Sequence, residues 1–222
     1  HNLIPENLEI AQAELQSLNQ QWKEIELNAK ELSEEGLVFQ NTYFDQNFVC
    51  DYSDKNTDQI IFSDHDRFEK VKSWDEGLDS SFANICEEMS LEQIEENFNF
   101  EEKIDYLIGH QYSLPSGGNI MFGKTDALTA IDVNTGTAKR FDTNREAIQL
   151  IAKLIKLKNI SGKVVIDPVA SDHNTLRKLV GMLKNEFRDD LSITNVYGYT
   201  RGGLLELSRS RNDRSIDELN LN

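Results

Sequence analysis

Along residues 128–136 the chain reads L-T-A-I-D-V-N-T-G, so apolar and β-branched positions lead into Asp132, and Asn134 and Gly136 follow. This pattern predicts a strand with a carboxylate near its end. Residues 163–168, K-V-V-I-D-P, repeat it with Asp167. Side by side in one sheet, the two acids would share an edge and could hold one hard divalent cation. Strand-terminal aspartates also serve as ordinary turn residues, so either run alone is compatible with a purely structural role.

Upstream, Leu8, Ala11, Leu15, Leu18, Trp22, Ile25, Ala29 and Leu32 step by three and four. They form a heptad seam on one long helix, opened by Pro5 and closed by Gly36, that would lie on its own domain or pair with a second copy. Residues 37–44 and 59–64 alternate as strands do. His65, between Asp64 and Asp66, fits an exposed polar turn, because three consecutive side chains cannot face one ion. Residues 67–113 carry scattered apolar positions through an acidic run and read as helices with solvated carboxylate faces. Pro115, Ser116, Gly117 and Gly118 mark a loop leading into a β-hairpin that turns at residues 124–126. Thr143 and Glu146 fit a capping box ahead of Ala147, Ile148, Ile151, Leu154 and Ile155. Lys153, Lys156 and Lys158 fall on the remainder of that helix, an ordinary solvated face with phosphate contact the alternative, and Asn159 and Gly162 are stop signals. Ser171 or Asp172 then caps a helix whose apolar side is Leu176, Leu179, Val180, Leu183 and Phe187, and residues 193–199 form the last strand. The β-α-β-α order over residues 128–188 predicts a layered α/β sheet.

A chain of 222 residues with 38% hydrophobic content can bury a real core. No apolar run approaches the roughly 18 residues that a membrane span requires, and no secretory leader is visible. Cys50 and Cys86 occur without any C-x-x-C, which favours buried thiols in a reducing, cytoplasmic setting over a disulfide or a zinc site. The net charge of −16 argues against a nucleic-acid partner until it is divided. Residues 1–113 hold 26 acidic and 7 basic side chains, whereas residues 114–222 hold 13 acidic and 16 basic ones. Contact with a polyanion needs cations, so the second half is the candidate for such contact.

Five words follow one another in that half: L-P-S-G-G-N-I at 114–120, D-A-L-T-A-I-D-V-N at 126–134, T-N-R-E-A at 143–147, S-G-K-V-V-I-D at 161–167 and R-G-G-L-L-E-L-S-R at 201–209. Together they resemble the catalytic core of the ribonuclease E/G family. The resemblance implies an acidic, structural RNase H-like subdomain over residues 1–113, including the long N-terminal helix, and a DNase I-like α/β catalytic subdomain over 114–222. It implies Mg²⁺-dependent endonucleolytic cleavage of single-stranded RNA to 5′-phosphate and 3′-hydroxyl ends. Asp132 and Asp167 match the family's metal-binding aspartates, and Asn134 matches the asparagine that helps position them. Lys139, Arg140, Arg201, Arg209 and Arg211 are the candidate RNA ligands, with pairing to Glu206 and nearby acids the alternative for the arginines. A homodimer or homotetramer is a further expectation.

The chain departs from its relatives in three places. Gly202 stands where they carry an aromatic residue. The connection at 137–142 is short where theirs is long, glycine-rich and acidic, which implies altered substrate handling. Their N-terminal RNA-binding barrel and C-P-x-C zinc link are not in this sequence, which opens on His1 and reads as a piece of a longer protein with weak RNA binding of its own. The competing expectation is an inactive relative that serves as an assembly module through its acidic half and heptad helix.

Overall fold

The computed structural model describes residues 8–32, 36, 38, 45–46, 48–49, 53, 57–76, 82–136, 140–169 and 171–219. The architecture is mixed α/β and divides into two compact units, His1–Asn97 and Phe98–Asn222. That division precedes the expected boundary at 113/114, because residues ahead of Leu114 pack into the second unit. Tyr112 is buried there, its ring edge-on to Phe122 with centroids 5.7 Å apart.

In the first unit, helix α1 (Leu8–Glu31) forms as the heptad pattern requires. Its seam is not laid against the rest of the chain at Leu15, Leu18 and Trp22, all of which are exposed. Strand β1 (Ile60–Phe62) pairs in parallel with β2 (Cys86–Glu88), a strand hidden within the acidic run that reads as helical. Helix α2 (His65–Glu76) lies between them in sequence. His65 therefore opens a helix and not a turn, and Asp64 caps it by accepting from the Arg67 amide at 3.0 Å. Helix α3 (Leu91–Phe98) follows β2, and its last residue is the first of the second unit. Val49, Val71 and Cys86 form the first unit's small core with Ile60, Phe62 and Phe68. Pro5, Cys50 and, apart from Val38, the strand expected at 37–44 lie outside the described residues.

The second unit runs α4 (Phe100–Ile108), β3 (Gln111–Ser113), β4 (Asn119–Lys124), β5 (Thr129–Asn134), α5 (Arg140–Leu157), β6 (Gly162–Asp167), α6 (His173–Glu186), β7 (Thr194–Tyr199) and β8 (Leu205–Arg209). Its six strands are ordered β3-β4-β5-β6-β8-β7. Only β5 and β6 pair in parallel, and α5 supplies the long crossover that such pairing demands. Alternation gives the sheet two unlike faces. Thr129, Ile131 and Val133 of β5 are buried, whereas Ala130, Asp132 and Asn134 are exposed. Ile148, Ile151, Leu154 and Ile155 of α5 and Leu176, Leu179 and Leu183 of α6 belong to the core on the buried face.

Two expectations about α5 change. The helix starts at Arg140, so Thr143 is not its cap; Thr143 and Asn144 are buried in its opening turns. Asn144 clamps the segment after β6, donating to Val169 O at 3.0 Å and Ser171 Oγ at 2.9 Å and accepting from the Val169 amide at 2.8 Å. Asp172 caps α6, accepting from the Thr175 amide at 2.7 Å, and that hydrogen bond holds its carboxyl below the ordinary carboxylate range. Lys158 is not on a solvated face either. It is 1% exposed, donates to Gly109 O at 2.9 Å, and lies 3.6 Å from Asp217. Burial lowers its pKa, and Asp217 works against that shift.

A buried ion pair fixes the far end of the sheet. Arg209 donates Nε and Nη2 to Asp190 at 2.8 and 3.0 Å and Nη1 to Asn159 Oδ1 at 2.8 Å. Burial pushes the Asp190 carboxyl up, but hydrogen bonds from Arg209 and Thr194 outweigh it and the pKa falls below the ordinary value. Because the folded-state pKa is depressed, the stability it contributes is present above the unfolded carboxylate pKa of about 3.9 and is lost as pH falls through the folded value. Arg209→Met leaves that carboxylate buried and unpaired, and should lower the stability read from urea unfolding at neutral pH by about 3–5 kcal/mol. The same substitution should weaken the acid dependence. An unchanged urea midpoint would show that the pair contributes nothing.

Candidate functional site

The register of β5 on β6 runs from Thr129↔Val164 to Asp132↔Asp167. Partners on adjacent strands sit about 4.8 Å apart and point to the same side. Both aspartates are exposed on the face that the helices leave open. Asn134, two residues beyond Asp132, projects from that face, and its Nδ2 donates to Asp132 Oδ2 at 2.9 Å and to Asn119 Oδ1 at 3.4 Å. Like charges placed opposite one another in a sheet repel, so the pair is stabilised by any cation between them. Among the described residues no group of three or more His, Cys, Asp or Glu is arranged to hold a metal ion. Two carboxylates beside an amide suit Mg²⁺, which keeps several waters and needs few protein ligands, better than they suit a metal requiring a full protein cage.

A loop closes over this edge. A Cβ on Gly118 would lie 2.3 Å from Asn134 O, and one on Gly136 would lie 2.3 Å from Gly117 C, so only glycines let the two backbones meet. Gly117 itself has φ 85°. Glu146, expected as half of a capping box, instead accepts from the Ser116 amide at 2.9 Å and ties the loop to α5. The L-P-S-G-G word is thus the lining of the acidic edge.

The candidate cations separate. Lys139 lies outside the described residues, as does the side chain of Arg140, whose backbone opens α5. Arg201 is exposed in the turn between β7 and β8. Because Ile166 pairs with Leu205, that turn sits at the edge where Asp167 ends its strand. Arg209 pairs with Gly162, at the opposite edge, and is 6% exposed with its donors occupied. It is a buried anchor, which corrects its assignment as a phosphate ligand. Arg211 lies past that same far edge, donates to Glu218 Oε2 at 2.9 Å, and lines a cleft of about 370 Å³ with Lys124, Lys158, Lys163 and Asp217. One sequence word therefore delivers Arg201 towards the acids and carries Arg209 away from them, with Arg211 two residues beyond. Glu206, expected as an ion-pair partner for the arginines, is half-buried opposite Val165 on the same face as Asp167. No local pattern announces the clamp role of Asn144, although the T-N-R-E-A word marks its place.

A family model for the Ribonuclease E/G family matches residues 4–212, and the chain belongs to that family. It is 29% identical to Ribonuclease E of Synechocystis sp. over 230 residues, covering 97% of this chain and 34% of that protein. Against Ribonuclease E of Buchnera aphidicola subsp. Schizaphis graminum it is 33% identical over 130 residues, 54% of this chain and 13% of that protein. Ribonuclease G of Escherichia coli is 27% identical over 184 residues, 78% of this chain and 38% of that protein. The chain therefore spans between 13% and 38% of the length of these curated relatives.

Gly118→Ala should lower stability by about 1–3 kcal/mol in thermal unfolding, because its Cβ has no room against Asn134 O. Glu146→Gln keeps the side-chain size and should speed amide exchange at Ser116. Exchange at the wild-type rate would remove Glu146 from its anchoring role.

Proposed function

We propose that this chain carries the metal-dependent endoribonuclease centre of its family and cleaves single-stranded RNA to 5′-phosphate and 3′-hydroxyl ends. The observation that carries the reading is the register pair Asp132↔Asp167 on the open face of β5 and β6. These two carboxylates would hold Mg²⁺, which makes a bound water more acidic and offsets charge on the scissile phosphate. Asn134 engages one oxygen of Asp132 and so fixes the carboxylate's rotation. The glycine loop and Glu146 hold the edge in shape. Arg201, exposed at that edge, is positioned to meet a phosphate of the strand.

Matches to proteins named Ribonuclease E and Ribonuclease G support the reaction class. Binding of RNA, assembly into a homodimer or homotetramer, and a cytoplasmic role in RNA processing are part of the same proposal. No helix among the described residues is long and apolar enough to cross a membrane.

The test is cleavage of a 5′-monophosphorylated single-stranded RNA by the full chain. Mg²⁺ should support cleavage and EDTA should abolish it. Asp132→Asn or Asp167→Asn should each reduce the rate by at least about 100-fold, since the metal supplies several kcal/mol of transition-state stabilisation. Cleavage undiminished in the double variant would sink the proposal.

A further inference from the structure

The open face of the six-stranded sheet continues past the aspartates. Met121, Asp132 and Asp167 form one row across it. Ala130, Val165, Glu206 and Gly198 form the next, and Lys163, Ser208 and Asn195 a third. Tyr197 shares the side of Asn195 and is 68% exposed. Its hydroxyl lies 2.7 Å from Ser208 Oγ on the neighbouring strand, which ties down the tip of the ring while leaving most of its surface to solvent. Lys163, in register with Ser208, is exposed and makes no ion pair among the described residues. A tethered, exposed aromatic ring beside a free ammonium has the composition of a stacking platform for an unpaired base.

We propose that Tyr197 and Lys163 form a nucleotide subsite on this face, the ring stacking on an unpaired base and the ammonium meeting an adjacent phosphate. The proposal rests on the ribonuclease reading, with the scissile bond at Asp132 and Asp167. Strands β6 and β7 are two spacings apart, roughly 10 Å, and successive rows are about 7 Å apart, so a strand of a few nucleotides spans the distance. Glu206 lies between the acidic row and Lys163. Its charge repels phosphate, so a neutral base and not the backbone crosses above it. The neighbours of Tyr197 on this face, Ser208 and Asn195, are polar, which suits a nucleotide better than an apolar peptide. A duplex hides its base faces and should not bind here.

The experiment measures binding of a labelled 5′-monophosphorylated single-stranded oligoribonucleotide to the full chain in EDTA, where cleavage is silent. Tyr197→Ala should weaken binding by about 5- to 150-fold, and Tyr197→Phe, which keeps the ring but loses the Ser208 tether, by less. Lys163→Ala should weaken binding and reduce the salt slope by about one. Lys184→Ala, on the exposed side of α6, should change nothing. Wild-type affinity in Tyr197→Ala, equal competition by duplex RNA, or no binding by the wild type would each overturn the subsite. Binding that depends on Tyr197 in a chain that never cleaves with Mg²⁺ would overturn the nuclease reading and leave the subsite standing. Cleavage with Tyr197-independent binding would do the reverse.

Discussion

Parallel pairing of β5 with β6 is the constraint on which the functional geometry depends. Its register places Asp132 opposite Asp167, and a slip of one residue on either strand would turn one carboxylate into the apolar layer. Burial enforces the register. Ile131 and Ile166, one residue earlier on each strand, are 1% and 0% exposed beneath the helices, so the aspartates are held outward by what their neighbours bury. The crossover helix α5 makes the parallel arrangement possible, and Asn144 near its start locks the chain leaving β6. Core packing and the acidic pair are therefore two consequences of one alternation.

Around that pair the chain is stiff where charge is concentrated. Gly117 and Gly118 lie against Gly136 and the Asn134 carbonyl at distances that admit no side chain, and Glu146 fastens the loop from below. Two carboxylates on adjacent strands repel one another, a cost that a bound cation removes. An edge fastened in this way resists their moving apart to relieve the repulsion, as the proposed cation site requires.

The balance of charge in the second unit is also redistributed by the fold. Lys158 and Arg209 count as cations in the sequence, yet both are buried and matched to Asp217 and Asp190. Arg211 is matched to Glu218. A basic total thus overstates the cations available to a polyanion; among the described residues, Lys163 and Arg201 are exposed on the open side of the sheet or at its acidic edge.

The sequence by itself determined the long first helix, the hairpin of β4 and β5, the apolar sides of α5 and α6, the Asp172 cap and the two acid-ended strands, because each is written in local periodicity or in a short-range hydrogen bond. Its ordered motifs also identified the family, since five words in register are far more specific than any one of them. Only the tertiary structure decided which strands are neighbours, that Glu146 holds a loop 30 residues away instead of capping its own helix, and that Lys158 is buried. It alone separated Arg201 from Arg209, because an antiparallel strand carries the ends of one word to opposite edges of a sheet. Such contacts join positions far apart in the chain, and nothing in a local window records the partner that a buried charge or a backbone amide will meet.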